Sequence, residues 1–262
     1  MARENSFMFF GKLAEAPVVF QNEETKKYRV SISIETLRRN GRKDYPRVSS
    51  YGLEEQEARD FVRDLKIGVY IICRGMITTR VVDKPIKCSK CGEISKIKTL
   101  FTEVVTYGKP YVLKQDVNPK EIAEFSNLGT ALGTLCTEVK RIDGVDGMEG
   151  AQFQVALGRR YRIAEQTHDS LTDFPWVKCF GAVARGCIER LEKGSQIYIT
   201  GSFQTRDIHR NVKCAACGQL LKTLERIGEI VPNGVEFLNN CLFDEKSPKD
   251  REGKEAVKDE KA

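Results

Sequence analysis

Leu65-Lys66-Ile67-Gly68-Val69-Tyr70-Ile71-Ile72-Cys73-Arg74-Gly75-Met76-Ile77-Thr78-Thr79-Arg80 returns as Leu191-Glu192-Lys193-Gly194-Ser195-Gln196-Ile197-Tyr198-Ile199-Thr200-Gly201-Ser202-Phe203-Gln204-Thr205-Arg206, an offset of 126 positions. At the same offset Lys87-Cys88-Ser89-Lys90-Cys91-Gly92 returns as Lys213-Cys214-Ala215-Ala216-Cys217-Gly218. Upstream, Asp44-Tyr45-Pro46-Arg47-Val48-Ser49-Ser50-Tyr51-Gly52 matches Asp173-Phe174-Pro175-Trp176-Val177-Lys178-Cys179-Phe180-Gly181 at an offset of 129. Elements hold register while the loops between them change length, which is the mark of one fold written twice.

The length of 262 residues suits two domains, and each copy is long enough to bury its own core. The expected division is a first domain over 1–116, a linker over 117–125, a second domain over 126–243 and a disordered charged tail over 244–262. Lys and Arg number 43 against 37 Asp and Glu, a mild positive balance that fits a polyanionic partner. The nine cysteines, an odd number, and the lack of a long apolar run suit a reducing cytoplasm and give no reason to expect a membrane partner.

Each copy reads as strand, strand, strand, helix, strand, strand. Phe7–Leu13 and Leu128–Leu135 are short apolar runs broken by Gly11 and Gly133. Tyr28–Ile34 and Phe153–Leu157 alternate apolar and polar residues, as half-buried strands do. A third strand covers Arg47–Tyr51 or Trp176–Phe180. Helical spacing follows at Ala58, Phe61, Val62 and Leu65, and again at Val183, Cys187, Ile188 and Leu191, with Gly68 and Gly194 expected as left-handed caps. The fourth strand covers Val69–Arg80 or Gln196–Arg206, leads into the cysteine knuckle, and a fifth closes the unit. This order predicts an all-β chain with little helix: two tandem OB-folds, five-stranded Greek-key barrels, each with its helix between strands three and four and its Cys-x-x-Cys knuckle between strands four and five.

Phe9-Phe10-Gly11-Lys12-Leu13-Ala14-Glu15-Ala16-Pro17, the strand ending at Ile34, Pro46 to Gly52, and above all Leu191 to Arg206 resemble the bacterial single-stranded DNA-binding protein family. The stretch fits the family phrase L-x-K-G-S-x-V-x-V-x-G-x-L-x-T-R, and matches run in order through most of residues 5–110 and 127–243. The resemblance implies a sequence-tolerant binder of single-stranded DNA that coats or presents the strand in replication, recombination, repair or DNA transfer. Family members commonly form tetramers of single-domain chains, so two domains in one chain resemble a covalent dimer; a homodimer with four OB-folds is one assembly this allows, and the final oligomer stays open. The family's stacking aromatics fall on Tyr45 and Tyr51 in the first copy and on Phe174 and Phe180 in the second. A further one falls on Tyr161, where the first copy has Leu37, and one after the fourth strand falls near Val82 and Ile208. Family members end in an acidic run with a terminal Pro-Phe, whereas the last residues here, Lys254 to Ala262, mix both charges.

Such a ligand needs cations for its phosphates and flat rings for its unpaired bases. Lys12, Arg38, Arg39, Arg47, Arg74, Arg80, Arg159, Arg160, Lys178 and Arg206 are the candidate cations, with solvated surface charge as the alternative for each. Trp176 is either an additional stacking platform or an interface or core residue. RNA is an alternative ligand, since stacking tolerates either sugar.

Lys-Cys-x-x-Cys-Gly is the turn of a zinc knuckle, and each copy holds half a site. Either Cys88, Cys91, Cys214 and Cys217 converge on one zinc between the domains, or each knuckle finds other ligands, His209 among them, or the thiols stay free. Cys73, Cys136, Cys179, Cys187 and Cys241 lie in apolar surroundings and are expected in the core. No repeated nucleophile, phosphate loop or carboxylate cluster calls for catalysis, so no enzyme is expected. Rival functions are a zinc-stabilised protein scaffold and a non-catalytic subunit of a nucleic-acid enzyme.

Overall fold

The alternation read in the second strand of each copy is met by β3 (Tyr28–Leu37) and β11 (Glu149–Gly158), whose alternate residues Val30, Ile32, Ile34 and Phe153, Val155, Leu157 are buried. The computed structural model describes residues 4–115, 117–144, 147–159, 161–163 and 171–242. Arg160 and the tail beyond 242 lie outside the described residues. The chain is mostly β, with an OB-type arrangement of strands.

One ring of strands runs through β1 (Asn5–Leu13), β3, β5 (Arg47–Leu53), β7 (Ile94–Thr106) and β6 (Tyr70–Lys87), and closes by pairing β6 with β1. The other runs through β9 (Asn127–Leu135), β11, β13 (Trp176–Phe180), β15 (Leu220–Asn239) and β14 (Gln196–Lys213), and closes by pairing β14 with β9. Each ring contains a single parallel step, Val48 opposite Val104 and Val177 opposite Ile230. Short strands decorate the rims: β2 (Val18–Gln21), β4 (Lys43–Asp44), β8 (Tyr111–Val112), β10 (Lys140–Asp143) and β12 (Thr172–Asp173). Closure leaves few free edges, the usual protection of a barrel against strand pairing with strangers.

Helix α1 (Glu55–Val62) turns Ala58 and Phe61 into the first barrel, and α3 (Gly181–Arg190) does the same with Ala184 and Cys187 in the second. Both helices stop before Leu65 and Leu191, so Gly68 and Gly194 are not helix caps. They occupy the turns into β6 and β14 at φ +87° and +98°, where their N–H groups donate to the carbonyls of Leu13 and Leu135 at 2.8 and 2.9 Å. A left-handed glycine is needed at both places, but for a strand entry. Between the rings, α2 (Pro119–Ile122) is capped by Asn118 and followed by buried Ser126.

β1 pairs with β9 antiparallel, Asn5 opposite Ala131 through Phe9 opposite Asn127, so both rings share one continuous sheet. At the centre of this ladder Phe7 faces Gly129. A Cβ on Gly129 would sit 2.0 Å from the Phe7 ring, so one side must be bare for the other to be aromatic. Phe7 and Phe9 of β1 meet Phe203 of β14 edge-on, at 6.5 and 6.4 Å between centroids, and one apolar core runs through both rings. Asn5 brackets Ile77, and Asn127 brackets Phe203, each giving and accepting one backbone hydrogen bond at 2.6–2.9 Å.

Candidate nucleic-acid interface and thiolate cluster

The two rings are also clasped by a matched pair of polar contacts. Asp173 accepts from the N–H of Thr79 at 2.6 Å, while Thr79 Oγ1 accepts from the N–H of Phe174 at 2.8 Å. Across the junction Asp44 accepts from the N–H of Thr205 at 2.6 Å, and Thr205 Oγ1 accepts from the N–H of Tyr45 at 2.8 Å. Asp44 in turn holds Arg38 through two bonds of 2.6 Å, and Asp173 lies 2.6 Å from Arg159. Burial pushes the Asp173 carboxyl up to about 6, against the opposing pull of Thr79 and Arg159. Sequence reasoning passed over these four residues, although the signal existed: an Asp and a Thr recur at matched positions in the two copies.

This clasp decides what several predicted cations do. Arg159 is 3% exposed and serves the clasp, so it is not a surface charge. Arg38 is partly exposed beside Asp44, and Arg39 is exposed beside Glu124. Arg206 is bound in parallel to Glu229, and Arg80 lies 3.5 Å from Glu103. Arg47 and Arg80 flank the ring of Phe101 at 5.5 and 5.0 Å. Lys12 stands over Tyr70, and Arg74 is exposed on β6.

Two grooves lie where the rings meet. In the first ring Tyr51, Met76 and Val105 form one patch, covered by Ile163 from the segment that follows β11. Tyr51 is held there further by a hydrogen bond from its hydroxyl to Glu103, and burial with that carboxylate pushes its phenol upward. Beside the patch, Tyr161 is 59% exposed and meets Tyr107 edge-on at 6.3 Å. Together with Arg74 and Met76 these tyrosines line a groove of about 540 Å³. Tyr107 was not anticipated, having no aromatic counterpart in the second copy.

In the second ring the corresponding positions are Phe180, Ser202 and Val231, and they line an open groove of about 690 Å³ together with Leu37, Arg38, Arg39 and Leu128. Lys178 lies over the Phe180 ring at 5.5 Å. The turn after β3 is short, with Gly41 N–H bonded to Arg38 O, and carries no equivalent of Ile163. The groove therefore joins an available ring to Arg38 and Arg39 from the turn after β3 and to Lys178 of β13. Trp176 is half-buried at the start of β13, on the side away from buried Val177, and Phe174 is 41% exposed. Tyr45 donates to Glu35 at 3.2 Å and lies under Arg226 at 5.1 Å.

Beyond the rings β6–β7 and β14–β15 continue as two long ribbons, past the expected strand ends at Arg80 and Arg206 to Lys87 and Lys213. Each tip is the same turn. Cys88 N–H donates to Glu93 O and Gly92 N–H to Cys88 O, at 2.7 and 3.0 Å. Cys214 repeats this with Gln219 and Gly218 at 2.8 and 3.0 Å. Gly92 and Gly218 have φ +77° and +70°.

The tips meet: Cys88 and Cys217 sulfurs are 3.6 Å apart, as are those of Cys91 and Cys214, and all four lie within 4.8 Å of one another. Sulfurs bound tetrahedrally to zinc at about 2.3 Å would be about 3.8 Å apart, so the donor set fits. Backbone N–H groups of Cys217 and Ala216 pull the Cys214 thiol down to about 6, and those of Cys91 and Lys90 lower Cys88. These four cysteines can hold a metal ion. His209 is exposed on β14 and takes no part in the cluster. Cys73, Cys179 and Cys187 are buried in the core, whereas Cys136 and Cys241 are only half-buried, because they sit just past the ends of β9 and β15.

The two closed five-stranded rings define an OB-type fold. Residues 127–216 match the model of the Single-strand binding protein family. Among solved structures, the wild-type single-stranded DNA binding protein from Thermus aquaticus aligns with a TM-score of 0.59 and 16% identity, over 95% of this chain and 100% of that one. A deletion mutant of the same protein aligns with a TM-score of 0.58 and 16% identity, over 94% and 100%. No curated protein matches the sequence. Among the described residues no helix is long and apolar enough to cross a membrane.

Proposed function

We propose that this chain binds single-stranded DNA with little regard to sequence, as a non-catalytic coat or carrier of the strand in replication, recombination, repair or DNA transfer. The observation that carries the reading is the open groove in which Phe180, with Lys178 against its ring, faces Arg38 and Arg39. A stacked base on such a ring is worth about 1–3 kcal/mol, and neighbouring cations replace the counterions of its phosphates. The family match over the second ring and the fold shared with the Thermus aquaticus protein support the same reading. The path of the strand includes Phe180, Trp176, Phe174, Lys178, Arg38 and Arg39, and continues over Tyr45, Arg47 and Arg80 to Tyr161 and Arg74. RNA is the competing ligand, and a homodimer with four barrels is the expected assembly.

The chain is a duplicated OB-fold in which the β1–β9 ladder does covalently what two separate subunits would otherwise do by association. Cys88, Cys91, Cys214 and Cys217 hold zinc in a structural role. A reducing cytoplasm suits nine cysteines that are all free of disulfides.

The test is a titration of Trp176 fluorescence with an unstructured oligodeoxynucleotide and with its duplex, at two salt concentrations. Quenching by the single strand, weakening steeply with salt, is expected. Equal response to the duplex, or affinity indifferent to salt, overturns the reading.

A further inference from the structure

The ribbons that carry the four cysteines touch along their length as well as at their tips. Thr99 of β7 donates to Glu225 of β15, and Lys84 donates to the Leu224 carbonyl at 2.9 Å. Ile86 and Leu221 pack beside the cysteines to make a small apolar cluster of their own. Thr99 and Glu225 are equivalent positions in the two copies, as are Phe7 and Gly129 in the β1–β9 ladder. The sulfurs pair crosswise, Cys88 with Cys217 and Cys91 with Cys214, as equivalent groups do about a local two-fold axis. One axis thus relates the junction at the base of the rings, the middle of the ribbons and the thiols at their tips.

We propose that a single zinc ion per chain is shared by both ribbons and acts as a clasp whose occupancy is coupled to binding of the nucleic acid. The coupling rests on the single-strand reading above, while the shared ion does not. Neither ribbon can fill a tetrahedral thiolate site alone, since each supplies two sulfurs. Binding the ion therefore requires apposition of the ribbons. Four thiols give up four protons, and the resulting dianionic centre sits among Lys87, Lys90 and Lys213, which flank or lie within the knuckles.

The ribbons reach the binding surface at their roots. Arg80 on β6 stacks against Phe101, and Arg226 on β15 covers Tyr45 of the other ring. Cys217 and Arg226 are nine residues apart, the first in the tip turn and the second on β15, a paired strand that transmits the position of one end to the other. An opened clasp frees β15 to carry Arg226 away from Tyr45. By linkage, zinc then strengthens strand binding and the strand strengthens zinc retention by the same factor.

The experiment uses the full chain and three variants, Cys88→Ser, Cys214→Ser and the control Cys136→Ser. It reads zinc per chain by mass spectrometry, protease cleavage within the ribbons, and affinity for a labelled oligothymidylate by anisotropy. The expected result is one zinc in the parent and control, none in either cluster variant, faster ribbon cleavage in both, and affinity weakened about tenfold. Two zincs per chain, zinc lost through only one ribbon's cysteine, or no zinc in the parent overturns the shared site. A shared zinc whose loss leaves affinity unchanged overturns the coupling. Failure of the zinc-loaded parent to bind the oligonucleotide overturns the single-strand reading, and the coupling with it, while the metal and cleavage results still judge the shared site.

Discussion

The two inter-ring grooves are built at matched positions and differ in what covers them. Around Tyr51 the chain lays Ile163 on the patch and ties the phenol to Glu103; around Phe180 the equivalent surface is left open beside Arg38 and Arg39. The cause is a loop. A short turn follows β3, whereas the longer segment after β11 crosses to the other ring. Two matched rings in one chain present different surfaces, since Ile163 from one ring packs on the Tyr51 patch of the other.

The clasps show the same asymmetry in energetic form, and they offer the largest expected effect. Asp173→Ala removes a buried carboxylate that pairs with Arg159 and accepts from the Thr79 N–H, and is expected to destabilise the chain by about 3–5 kcal/mol in a denaturant titration. Asp44→Ala leaves Arg38 able to turn to water and is expected to cost about 1–2 kcal/mol. Equal costs would break the comparison.

Next comes the ladder between the rings. Gly129→Ala drives a methyl into the Phe7 ring and is expected to cost about 1–3 kcal/mol of overpacking, read from the melting temperature, with part of the loss recovered by adding Phe7→Ala. Additive losses would show that the two positions do not share one space.

The grooves themselves are compared by binding. Phe180→Ala is expected to weaken single-strand affinity by about 1–3 kcal/mol, measured by anisotropy. Tyr51→Phe is expected to leave affinity unchanged and to lower stability by about 1 kcal/mol through loss of the bond to Glu103. The reverse pattern would put the strand in the covered groove.

The clasp at Asp173 also carries a pH dependence of stability. The Asp173 carboxyl is raised to about 6 from an ordinary value near 3.9, so its contribution is present in full below the ordinary value and is lost as pH rises through about 6. Asp173→Asn is expected to remove that fall between about pH 4 and 6 in a series of melts. An unchanged profile would assign the fall to another group.

What the residues disclosed in advance was whatever depends on local pattern. Alternation at Val30, Ile32 and Ile34 marks a half-buried strand wherever it stands, because side chains on a strand repeat every two residues. The helical spacing of Ala58 and Phe61 was legible for the same reason, though its end was misplaced, since a left-handed glycine serves a strand entry as readily as a helix cap. The spacing of the four knuckle cysteines marked them as a candidate metal set, and the fold brings their sulfurs within 4.8 Å of one another.

Tertiary structure alone decided which side chains remain available. Arg159 and Arg39 are both loop arginines in the sequence, yet one is buried against Asp173 and the other is exposed. Tyr51 and Phe180 occupy matched positions, yet one is covered by a segment more than a hundred residues away. The meeting of Cys88 with Cys217 belongs to the same class. Periodicity reports which face of an element is apolar, but burial and pairing between distant groups depend on how two rings dock, and that depends on the fit of Phe7 against Gly129 rather than on any local pattern.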